Sequence, residues 1–107
     1  MTTKSKISKA EIGKAFRQLE KFGYKVWNFG SKSRLTSGMQ DWVDVVVARK
    51  IFKEWITNIF FIEIKIGKDK LSKGQIDTRQ ILQAISEKYY LVNESNYQDI
   101  IEQIIQS

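Results

Sequence analysis

Apolar residues recur at helical spacing near the start of the chain, at alternating spacing through its middle, and at helical spacing again near its end. Ile12, Ala15, Phe16, Leu19 and Phe22 fall on one face of a helix that Ser8-Lys9-Ala10-Glu11 opens as a capping box. Gly23 closes it, because glycine takes up the left-handed conformation of a helix C-terminus without a Cβ clash. Residues 24–29 alternate aromatic or β-branched side chains with polar ones and predict a strand that ends at Gly30. Residues 31–38 are polar, basic and aperiodic, which predicts a loop able to face phosphate. Residues 41–48, centred on Val45-Val46-Val47, and residues 59–66 predict two more strands, joined as a long hairpin that turns near residues 52–54. After a basic turn at Gly67-Lys68-Asp69-Lys70, Ser72-Lys73-Gly74-Gln75 opens a second helix, with Ile76, Ile81, Leu82 and Ile85 as its expected buried face. Residues 89–92 predict a short buried strand. Residues 96–106 predict a closing amphipathic helix with Tyr97, Ile100, Ile101, Ile104 and Ile105 on its apolar side.

The resulting order is αβββαβα, without internal repeat, linker or low-complexity tract. Three successive strands followed by a helix-linked fourth imply an α/β protein with a mixed central sheet flanked by helices. The 107 residues, 42% of them hydrophobic and 13 aromatic, suit a single globular domain spanning 1–107, with one modest core. Trp27, Trp42 and Trp55 are expected in that core rather than as stacking surfaces for bases.

Within this pattern Phe60-Phe61-Ile62-Glu63-Ile64-Lys65 stands out. Alternate residues of a strand project from the same face, so Glu63 and Lys65 are expected side by side among large apolar neighbours. Ionisable groups in such surroundings lose hydration free energy unless they are paired or used in chemistry. The two readings are an ion pair at a sheet edge and a functional site.

Composition restricts what such a site can be. The chain has no cysteine and no histidine, which removes disulfides, thiolate and imidazole metal ligands, cysteine nucleophiles and histidine bases. Any metal must be a hard cation such as magnesium or manganese held by oxygen. The formal net charge is +6, and residues 1–38 carry nine Lys/Arg against Glu11 and Glu20, a local balance of +7. That asymmetry suggests a basic face that meets a polyanion, nucleic acid first. The amino terminus is polar and basic, and no apolar run reaches the length of a membrane span, so a cytoplasmic protein without membrane contact is expected.

Gly38-Met39-Gln40-Asp41 before the first hairpin strand, Glu63-Ile64-Lys65 on the second, and Gln75 twelve residues after Glu63 on a helix together resemble the PD-(D/E)XK nuclease superfamily. Within it they look most like the VRR-NUC domains, where a Gly-x-Pro-Asp segment, a Glu-x-Lys strand and a helix-borne Gln recur in this order. Gln40 stands where those domains have Pro, a departure that bears on turn rigidity. The resemblance runs from about Glu11 to Asp99. It implies a restriction-endonuclease-like fold, a Mg2+ or Mn2+ ion held by Asp41, Glu63 and the carbonyl of Ile64, and Lys65 positioning and helping to activate the attacking water and stabilising the charge that develops on the phosphorane. It also implies hydrolysis of DNA phosphodiesters, selective for branched substrates such as Holliday junctions. The small stand-alone members are often phage-encoded, and a homodimer would match the symmetry of such DNA. The apolar C-terminal helix and Trp55 are the expected interface surfaces.

Three assignments stay open at the level of sequence. Asp44 lies three residues past Asp41, and on a regular strand the two would face opposite ways; the Gly-x-x-Asp register favours Asp41. Glu11 and Gln75 each follow a serine by three residues, so on the residues alone both read as helix caps. The resemblance brings Gln75 into the catalytic set and leaves Glu11 between the two roles. Lys32, Arg34, Lys68, Lys70 and Lys73 lie in the two loops beside these residues and are the expected phosphate contacts, with solvated loop residues as the plainer reading. A non-catalytic nucleic-acid-binding module of the same fold is the alternative function, and an interaction protein with an incidental basic face the third.

Overall fold

A computed structural model describes residues 7–29, 41–51, 54–85 and 88–107, with side chains described throughout except at 50–58. It is an α/β structure whose elements follow the expected order. Helix α1 (Lys9–Phe16) opens with the capping box at Ser8 and Glu11 and tightens into a 3-10 segment at Arg17–Phe22, which ends at Gly23 with φ 89°. Strands β1 (Tyr24–Asn28), β2 (Val45–Ile51) and β3 (Glu54–Ile64) form an antiparallel meander. Helix α2 (Lys73–Ile85) then carries the chain back, β4 (Tyr89–Val92) pairs parallel to β3, and α3 (Tyr97–Gln106) closes the domain. The sheet order is β1-β2-β3-β4. The long hairpin is present, since Lys50 pairs with Trp55 and Ile51 with Glu54.

Alternation divides the sheet into two unlike faces. Tyr24 and Val26, Val45 and Val47, Phe60, Ile62 and Ile64, and Val92 line one face, against which Ile12, Phe16 and Leu19 and α3's Ile100, Ile101 and Ile104 pack. The Tyr24 hydroxyl donates to the carbonyl of Ile104 at 2.7 Å and ties β1 to α3. The apolar side of α3 is therefore consumed by the core, which corrects its expected role as a free interface. On the opposite face a smaller cluster of Val43, Phe61, Leu82 and Tyr89, bordered by Trp42 and Val46, seats α2.

Two other expectations change. The strand expected over 41–48 begins only at Val45, because residues 41–44 form a turn anchored by Trp42, whose ring meets Phe29 and Phe61 edge-on at 6.4 and 6.0 Å. On α2 only Leu82 is buried; Ile76 is 42%, Ile81 63% and Ile85 72% exposed. Trp27, expected in the core, is 41% exposed on β1, while the side chain of Trp55 lies outside the described residues.

Candidate functional site

The C-terminal end of β3 is where the buried charges collect. Glu63 lies on the α2 face of the sheet, in the same alternation as Phe61, and is only 1% exposed. Its Oε2 accepts from Gln75 Nε2 at 3.2 Å and faces Lys65 Nζ at 3.8 Å. Lys65 is one residue beyond β3, yet its amide donates to the carbonyl of Val92 at 2.9 Å, so the parallel ladder carries it onto the face of Glu63. The expected pairing of the two side chains is present. At an effective dielectric of about 20 a pair at this separation attracts by about 4 kcal/mol, and moving each ion out of water costs several kcal/mol. The two nearly offset one another, so the pair is a poor device for stability and a better one for chemistry.

Gln75 both caps α2 and reaches Glu63. Its Oε1 accepts from the Ser72 amide at 3.0 Å and its own amide donates to Ser72 Oγ at 3.1 Å, a complete capping box, while Nε2 reaches Glu63. One side-chain amide thus fixes the start of α2 and the orientation of the buried carboxylate. Glu11 is engaged in the other capping box: its Oε1 accepts from the Ser8 amide at 2.7 Å, and that bond holds its carboxyl below the usual value.

The turn at 41–44 separates the two aspartates by burial. Asp41 is exposed, with its carboxylate against Gly74 in the first turn of α2, where a Cβ would overlap it. Asp44 is 1% exposed, and its backbone joins both neighbours: its amide donates to Ile62 at 3.0 Å and its carbonyl accepts from Phe29 at 2.7 Å. Asp44 Oδ2 accepts from the Ile64 amide at 2.8 Å and faces Lys9 Nζ at 3.4 Å. Strand alternation does not govern this pair, because neither lies within β2. In an antiparallel ladder the N–H and C=O of a residue leave the strand on the same side. The carbonyl of Ile64 therefore leaves β3 toward Asp44, beyond Val45, the first residue of β2.

Lys9 was not among the expected site residues. It stands in the first turn of a capped helix, where a lysine reads as solvated surface, and only the packing of α1 against the sheet brings it to Asp44. Tyr89 is a second unanticipated neighbour: burial first, and the negative charge of Glu63 next, push its phenol up to about 12, against the opposing charge of Arg79. Lys68 and Lys70 are exposed between β3 and α2, and Lys73, also exposed, is the first residue of α2. Lys32, Arg34 and Gly38-Met39-Gln40 lie outside the described residues.

Asp44, Glu63 and the Ile64 carbonyl present oxygen donors only, the chemistry a hard divalent cation takes. Among the described residues no group of three or more carboxylates is placed to hold a metal ion. An ion here would complete its shell with carbonyl and water, as magnesium commonly does.

Gly74→Ala tests Asp41 apart from Asp44. The added methyl would displace the Asp41 carboxylate, which is exposed and free to rotate away, and a helical alanine offsets the disturbance, so stability should change by less than about 1 kcal/mol. Were the chain to cut DNA, as the resemblance implies, with Asp44 as its working aspartate, cleavage would stay within about threefold of the unmodified protein; a loss near 100-fold would point to Asp41.

Among the described residues no helix is long and apolar enough to cross a membrane. No protein-family model, curated protein or solved structure matches the chain.

Proposed function

We propose that this protein is a metal-dependent phosphodiesterase acting on DNA, with Glu63 and Lys65 at its chemical centre. The observation that carries the reading is the burial of Glu63 at the end of β3, with a lysine ammonium and a helix-borne amide on the same carboxylate oxygen. A binding module has no use for a buried carboxylate on a face meant for a polyanion. A divalent ion bound here supplies Lewis-acid polarisation of the phosphoryl oxygen and a water of lowered pKa. Glu63, Asp44 and the Ile64 carbonyl would hold it. Asp44 takes the place first expected of Asp41, because it adjoins Ile64 and is shielded from water.

The remaining roles belong to the protein's own side chains. Lys65 stabilises the negative charge that builds up on the phosphoryl oxygens, an ammonium in a partly dry position where charge interactions are strong. Gln75 holds Glu63 in one orientation, so that no reorganisation is required during the reaction. Lys68, Lys70 and Lys73 meet the DNA backbone, which makes affinity strongly dependent on salt and nearly independent of sequence. The PD-(D/E)XK and VRR-NUC resemblance supports the same chemistry and points to branched DNA as substrate. A homodimer matched to that substrate would use the exposed Ile81 and Ile85 of α2 instead of α3.

Incubation with branched and linear DNA in magnesium, manganese or EDTA tests the reading. Cleavage is expected with either metal and none with EDTA. Salt-sensitive retention of DNA without cleavage under any metal would leave the binding module as the function.

A further inference from the structure

We propose that Arg79 is a phosphate-binding residue of this site, holding the phosphate that neighbours the one attacked at Glu63; the inference rests on the phosphodiesterase reading. Residues four apart share a helix face, so Arg79 lies on the same side of α2 as Gln75, whose amide meets Glu63. The axial rise between them is about 6 Å, comparable with the step between successive phosphates of one strand. The guanidinium sits 5.7 Å from the centre of the Tyr89 ring, and Tyr89 is buried in the cluster that seats α2. The arginine is thereby oriented by a ring that carries no charge.

Its surroundings differ from those of the other cations near the site. Lys65 faces Glu63 and Lys9 faces Asp44. Arg79 is partly buried and, among the described residues, has no carboxylate partner. A guanidinium held this way keeps its fork of donors for an anion, and bidentate recognition of phosphate is the interaction that geometry suits. A phosphate on Arg79 would place the next one along the strand toward Gln75, Glu63 and Lys65.

Packing of α2 on β4 is the competing explanation, and salt dependence separates the two. Arg79→Met keeps the apolar stem on Tyr89 and removes the cation; Arg79→Lys keeps the charge and loses the fork. Binding of a short DNA duplex in EDTA, titrated from ~50 to ~200 mM salt, should show the methionine variant weakened about 10-fold at the low end, with its log–log salt slope shallower by about 0.9. The lysine variant should recover the slope and only part of the affinity. In cleavage, Arg79→Met should raise KM and leave kcat within about twofold. Should the methionine variant not fold, Arg79→Gln carries the same measurement. An unchanged slope and KM in a protein that cuts DNA would overturn the role of Arg79 and leave the phosphodiesterase reading standing. An Arg79-dependent slope without cleavage under any metal would support the phosphate contact and overturn the enzyme, while no retention of duplex at ~50 mM salt would overturn the phosphate contact and leave the enzyme to the cleavage assay.

Discussion

Glu63→Gln is expected to lower DNA cleavage by at least about 10³-fold while leaving the fold as stable as before, or more so. The substitution keeps the shape of the side chain and an acceptor for Gln75 Nε2, now 3.2 Å from Glu63 Oε2. What it removes is the negative charge, and with it the attraction to Lys65 at 3.8 Å and the holding of a divalent cation. Lys65 is 17% exposed and can turn its ammonium toward water, so it is not stranded. At the same time the protein is relieved of a carboxylate that is 1% exposed, whose desolvation costs several kcal/mol. A thermal melt and a cleavage assay on the same preparation check both halves. Unimpaired cleavage would remove Glu63 from the chemistry, and a melting point lowered by more than about 5 °C would make its charge a structural one.

Asp44→Ala is expected to destabilise the domain by about 2–3 kcal/mol, because it strips the acceptor from the buried amide of Ile64 and leaves that donor unsatisfied. Lys9 contributes less to the loss, since its side chain is 41% exposed and water replaces the carboxylate. Asp44→Asn behaves differently. Its side-chain oxygen can still accept from Ile64, so stability should fall by no more than about 1 kcal/mol, while cleavage falls at least about 100-fold with the loss of the charge. Urea denaturation midpoints and cleavage rates of the two variants separate the hydrogen-bonding role from the ionic one. Unimpaired cleavage by Asp44→Asn would return the metal-binding role to Asp41.

The candidate site was legible where local rules act. The alternation that put Glu63 and Lys65 on one face needs only the geometry of an extended chain, and it survives although Lys65 falls just outside β3. The capping boxes at Ser8 and Ser72 were equally local. For Gln75 the capping position and the reach to Glu63 coexist, because a carboxamide has an acceptor end and a donor end, and α2 is placed so that each has a partner. The placement of Asp41 and Asp44 likewise depends on contacts beyond the local sequence. Trp42 turns inward on Phe29 and Phe61, and this tertiary contact makes residues 41–44 a turn, where strand parity no longer applies. On α2 the helix is present but Ile76, Ile81 and Ile85 are exposed, because the side that packs on the sheet is the one bearing Gly74, Gln75, Thr78, Arg79 and Leu82.

By itself, then, the amino-acid order determined the helices and strands in outline, their succession, the lack of sulfur and imidazole ligands, and the adjacency of Glu63 and Lys65, since each follows from residue type and spacing within a few positions. Only the tertiary structure decided that Asp44 rather than Asp41 is buried beside Ile64, that Lys9 neutralises it, that Gln75 joins α2 to Glu63, and that Arg79 lies over Tyr89. Those contacts join residues from separate elements, and their geometry is set by how helices seat on the two faces of the sheet, which no spacing along the chain encodes.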